Sequence, residues 1–137
     1  MEMMVKFPGG DRVDAHFGSY IVTTDQPGKN GEPGSAPSPF DLFLASIATC
    51  AGIYVLGFCR QRNLLTEGLM IIQRAHRNPT TGMVDNVDLE IHTPPGFPEK
   101  YLPSLIRSAE LCAVKKHIEK PPAFKVFTKT VSPVENP

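Results

Sequence analysis

The chain has 137 residues, 41% of them hydrophobic and 20% charged, a composition that fits one ordinary globular domain spanning residues 1–137. Its 14 basic and 14 acidic residues cancel, which leaves no basic field for nucleic acid or for an anionic membrane surface. Three cysteines (Cys50, Cys59, Cys112) are an odd number without metal-ligand spacing, and four scattered histidines add none. We therefore expect no metal, a reducing cytoplasmic setting and, from a start without a basic and apolar leader, no cleaved signal.

Fourteen prolines, clustered at 27–39, 94–103 and 121–122, divide the chain into periodic segments. In the first segment Val13, Ala15 and Phe17 alternate with Arg12, Asp14 and His16. Gly18-Ser19 supplies a two-residue turn, and Tyr20 to Thr24 returns as a strand. Residues 26–37 read as an exposed loop rich in Gly, Pro, Ser and Asn.

Ser38-Pro39-Phe40-Asp41 opens a long helix: serine is a favoured N-cap, proline suits the first helical position, and the acid three residues on completes a capping box. The helix runs to about Arg62, about 35 Å at 1.5 Å per residue. Within it, Leu42 to Cys59 is an 18-residue stretch without a charge. That length meets the threshold for a membrane span, but small residues (Ala45, Ser46, Ala48, Gly52, Gly57) dilute it. The amphipathic segments elsewhere also need a covering partner, so a buried central helix is expected.

A second hairpin pairs Glu67–Arg77 with Met83–Thr93 across Asn78-Pro79-Thr80-Thr81-Gly82, with Val87, Leu89 and Ile91 on one face of the return strand. A second helix runs from Pro98 or Pro103 to Ile118. Its apolar stripe of Leu102, Leu105, Ile106, Ala109, Cys112 and Ala113 places Cys112 on the buried face. Pro121-Pro122 ends it, and Ala123 to Val131 reads as a closing strand. The order βββ–α–ββ–α–β defines an α+β domain with a long helix against antiparallel sheet.

Each long helix thus carries a cysteine on apolar surface. They can be independent packing residues, since cysteine is among the most buried residue types, or a pair that meets in the core. Cys59 lies nine residues after Cys50, about 180° around the helix, and reads as packing.

The stretch from Ser38 to Cys50 resembles the first half of the central helix in the OsmC/Ohr family (osmotically inducible and organic hydroperoxide resistance proteins): a proline, an acid, a leucine, small residues and then cysteine. Cys112-Ala113-Val114-Lys115-Lys116 is similar to that family's second signature, normally Cys-Pro-Val-x-Lys. The order of elements agrees across nearly the whole chain. The resemblance implies an OsmC-like fold and an intertwined homodimer with active sites built from both subunits. It also implies a thiol peroxidase for organic hydroperoxides that serves oxidative stress defence without a cofactor. Cys50 would become a sulfenic acid, Cys112 would resolve it as a disulfide, and an external dithiol would reduce that bond. Phe40, Phe43 and Ile47 would line the substrate pocket.

Only thiolate attacks, and a mid-helix cysteine gains nothing from its own helix N-terminus, so a cation is expected beside Cys50. The resemblance offers Arg12, held by Asp41, although Phe40 occupies the family's usual glutamate place. Helix capping also explains Asp41, and strand exposure also explains Arg12. With Ala113 in place of proline, these departures put the chain nearer the divergent OsmC-like subgroup. Two other readings stay open: a non-catalytic protein holding a small apolar ligand at the dimer interface, and a redox-sensing domain.

Overall fold

The alternation at the start of the chain folds as read. The computed structural model describes residues 1–131. In it β1 (Met4–Gly9), β2 (Arg12–Phe17) and β3 (Tyr20–Thr24) form an antiparallel sheet in that order. Phe17 pairs with Tyr20 across the Gly18-Ser19 turn, and Gly18 takes the positive φ of 54° that glycine accepts without strain.

The long helix, α1, spans Pro39–Gln61. Its start is the expected capping box: the Asp41 amide donates to Ser38 Oγ at 3.2 Å, and Asp41 Oδ2 accepts the Ser38 amide at 2.9 Å. Its end is a Schellman motif. Asn63 adopts a left-handed φ of 52°, the Leu64 amide bonds Cys59 O at 2.9 Å, and the Asn63 amide bonds Arg60 O at 3.2 Å.

β4 (Met70–Arg77) and β5 (Val84–His92) make a separate antiparallel hairpin. Asn78 Oδ1 closes its turn by accepting the Thr80 amide at 2.8 Å. Ile71, Leu89 and Ile91 of this hairpin pack on the core, and Gln73 Nε2 donates to Leu44 O at 3.0 Å, tying β4 to α1. The core itself is Ala51, Val55, Phe58 and Cys59 of α1 against Leu105, Ala109 and Cys112.

Three expectations need correction. The second helix is not continuous. A 3₁₀ turn (Glu99–Tyr101) leads into α2 (Leu102–Ala109), the chain turns at 110–112, and α3 (Ala113–Glu119) follows. The break occurs because Cys112 takes a non-helical conformation (φ −46°, ψ 120°) and caps α3, its Sγ accepting the Lys115 amide at 3.4 Å. Apolar periodicity persists through such a turn, so the stripe gave no warning of it.

The closing strand does not form either. Residues 123–131 have no ladder partner among the described residues, and Phe124, Val126 and Phe127 stand exposed. A strand exists only against another edge, and this tail meets neither sheet of its own chain.

Finally, α1 is not buried all round. It is long and apolar enough to cross a membrane. Within the chain it buries one stripe only (Ile47, Ala51, Val55, Phe58, Cys59), while Ile53 is 70% exposed. A two-stranded hairpin and two short helices can cover one side of such a helix, not both.

Candidate active site

Cys50 sits on α1, half-buried, and Cys112 is 1% exposed at the start of α3. The packing of α3 on α1 brings them together. Cys112 Sγ lies 3.9 Å from Ile47 O, one turn before Cys50. The Val114 amide, the Cys112 thiol and the Ala113 amide are the polar groups that act on the Cys50 sulfur. All three cysteines are free thiols.

The surroundings push the two thiols apart in acidity. For Cys50 the Val114 amide is the largest influence. It lowers the pKa below the ordinary thiol value, with help from the Cys112 thiol and the Ala113 amide and against the cost of burial. Cys112 moves the other way. Burial raises its pKa, and the neighbouring Cys50 sulfur adds to the rise, while the Lys115 amide opposes. Of the pair, Cys50 therefore gives up its proton first.

Sequence reasoning missed these donors because it placed Cys112 inside a helix. An interior amide is spent on the residue four back, whereas the first amides of a helix are free to donate. The sequence leads one to expect a cation beside Cys50; among the described residues of one chain, the groups that lower its pKa are the α3 amides and the Cys112 thiol. Ala113 supplies an N–H that a proline at that position would lack.

The other candidates lie apart from this pair. Arg12 pairs with Asp14 at 3.0 Å in the three-stranded sheet. Asp41 is held by Ser38, whose hydroxyl and amide bonds lower its pKa. Neither is among the groups that set the acidity of Cys50. Cys59 is fully buried beside Arg62, and burial raises its pKa.

Phe40, Phe43 and Ile47 do share a surface, lining a groove of about 710 Å³ between α1, the β4–β5 turn and Ile118. A second apolar cavity of about 630 Å³ continues from it, the two sharing Ile47, Val87 and Ile118. Stepping about 100° per residue puts Phe40, Phe43, Ile47 and Cys50 within a sector of about 80° on α1. Cys50 thus lies on the same stripe of α1 as the groove wall, although it does not itself line the groove.

The sequence profile described as OsmC-like protein matches residues 31–127. The chain belongs to the OsmC-like family. No curated protein sequence matches it significantly. Solved structures agree with the assignment. A protein from Psychrobacter arcticus, described as an osmotic stress induced and detoxification response protein, aligns with TM-score 0.69 and 25% identity over 83% of this chain and 85% of that one. An OsmC like protein from Mycoplasma pneumoniae aligns with TM-score 0.64 and 17% identity over 88% and 87% of the two chains. The organic hydroperoxide resistance protein OhrB of Bacillus subtilis aligns with TM-score 0.55 and 17% identity over 88% and 93%. At these identities the last two speak for the OsmC-like fold alone.

Proposed function

We propose that this OsmC-like protein is a thiol peroxidase for organic hydroperoxides, with Cys50 as nucleophile and Cys112 as resolving cysteine. The observation that carries the reading is a neighbouring pair of thiols with opposed acidities, Cys50 lying on the α1 stripe whose first part lines an apolar groove. The Cys50 thiolate attacks the terminal peroxide oxygen. An S–O bond forms, the O–O bond breaks, and the alkoxide leaves to take a proton as the alcohol. The Cys112 sulfur then attacks the Cys50 sulfenic acid, forming the disulfide and releasing water with the Cys112 proton. An external dithiol returns two electrons and two protons.

The working unit in this proposal is a homodimer. The uncovered side of α1 and the exposed apolar side chains of residues 124–127 supply the surface a second copy would bury. Light scattering should give twice the 15.0 kDa chain mass. Arg12 and Asp41 belong to this proposal as a field acting on Cys50 across the dimer rather than within one chain, and a raised alkylation midpoint in Arg12→Gln would support that.

The direct test is one equivalent of cumene hydroperoxide followed by mass spectrometry. A Cys50–Cys112 disulfide is expected, together with a trapped sulfenic acid at Cys50 in Cys112→Ser. Unoxidised protein would sink the peroxidase reading.

A further inference from the structure

Between the turn at 110–112 and Pro121-Pro122, α3 is a separate piece of seven residues, none of them buried. A helix that short does not hold by itself in water, so its fastenings to the rest of the chain decide whether it stays. Two are apolar: Val114 packs on the core, and Ile118 lines the cavities beside α1. The others are made to sulfur. Cys112 Sγ caps α3 by accepting the Lys115 amide at 3.4 Å, and it lies 3.9 Å from Ile47 O on α1. The amides of Ala113 and Val114 act on the Cys50 sulfur. The first three N–H groups of α3, which have no partner inside their own helix, are thus all directed to the cysteine pair.

These fastenings belong to the reduced state. A hydrogen bond to a charged acceptor is about twice as strong as one to a neutral acceptor, and Cys50 carries no charge once it is bonded to a second sulfur. A disulfide also confines both sulfurs to a narrow geometry, which turns Cys112 Sγ from the Lys115 amide toward Cys50. Regeneration then meets an obstacle. In thiol–disulfide exchange the more acidic thiol leaves faster; that thiol is Cys50, so attack on the Cys112 sulfur is favoured. With α3 in place Cys112 is 1% exposed, beyond the reach of an external dithiol.

We propose that α3 is a redox-operated flap: the Cys50–Cys112 disulfide unfastens its first turn and so bares the Cys112 sulfur to the reductant. A thiolate of the external dithiol bonds to that sulfur as the S–S bond breaks, and Cys50 leaves as thiolate. The second thiol of the reductant then closes on the first. The reductant departs as a disulfide, oxidised by two electrons, and the proton of its second thiol passes to Cys112. With both thiols restored, the cap re-forms and α3 closes. The flap rests on the reading of Cys50 and Cys112 as a peroxidase pair, but it can be measured without turnover.

The test is hydrogen–deuterium exchange with mass spectrometry on the full chain, reduced and after one equivalent of cumene hydroperoxide. Exchange in residues 113–119 should quicken by about fivefold, as expected for a lost helix cap, while α1 and the β4–β5 hairpin keep their rates. An unchanged α3 in protein whose bridge is verified by mass overturns the flap and leaves the peroxidase chemistry standing. If peroxide forms no bridge, the peroxidase reading falls, and diamide closes the bridge for the same comparison. Two variants test the cap without any oxidation. Cys112→Ala should quicken exchange in α3 by about fivefold, whereas Cys112→Ser, whose hydroxyl can cap, should keep the wild-type rate. Equal rates in all three proteins overturn the flap. Dithiothreitol should also reduce the bridge in native protein, and a bridge reduced only in urea contradicts the uncovering. Circular dichroism on each variant confirms that the fold is intact.

Discussion

Cys50 and Cys59 stand nine residues apart on the same helix, in the same uncharged stretch, yet their thiols are driven in opposite directions. Cys59 faces the core, where burial outweighs the one nearby cation, Arg62, and its pKa rises. Cys50 also pays for desolvation, but the Val114 and Ala113 amides and the Cys112 thiol outweigh it. Hydrophobic surroundings alone thus do not decide whether a buried cysteine is inert. Hydrogen-bond donors aimed at the sulfur decide it, and here they come from another element.

Four substitutions break or sharpen this contrast. The largest effect is expected from Cys50→Ser, which should lower peroxidase turnover by a factor of about a hundred or more, because removal of a nucleophile leaves only residual catalysis. Cys59→Ser in the same assay should keep most of its turnover. A Cys59→Ser protein as inactive as Cys50→Ser, though folded, would erase the distinction.

Ala113→Pro tests the donors. Proline suits the first position of α3, and Cys112 already holds the extended ψ of 120° that a residue before proline requires. The change therefore removes little besides one N–H. A lost hydrogen bond to a charged group is worth about 1.5 kcal/mol, so thiolate at neutral pH should fall about tenfold, read as a slower rate of iodoacetamide alkylation. An unaltered rate would mean that the Val114 amide and the Cys112 thiol suffice.

The smallest effect is expected from Ser38→Ala. Loss of the α1 cap should cost about 1 kcal/mol of stability in urea denaturation. The alkylation rate of Cys50, some three turns away, should stay as it was. A change in that rate would tie the cysteine's acidity to the start of its own helix.

Much of this molecule can be read from its residues. Ser38, Pro39 and Asp41 announce α1 through local chemistry, and the alternation around Val13 and Val87 announces both hairpins, because each signal depends on neighbours in sequence. The meeting of Cys50 with Cys112 was open on composition and followed only from resemblance. The break at Cys112 was hidden because a thiol is not a usual helix cap and the apolar spacing runs straight through it. The amides of Ala113 and Val114 carry no side-chain signature at all. The missing strand at 123–131 and the uncovered side of α1 have a common cause: apolar patterning says that a surface wants covering, not what covers it.

The measurement that tests the account most directly is alkylation by iodoacetamide as a function of pH, with each cysteine quantified by mass spectrometry. A thiol reacts as its thiolate, so its rate climbs with pH through its own pKa. Cys50 should reach half its maximal rate at a lower pH than Cys59 and Cys112. A Cys50 midpoint at or above those of the other two would contradict the claim that α3 lowers its pKa.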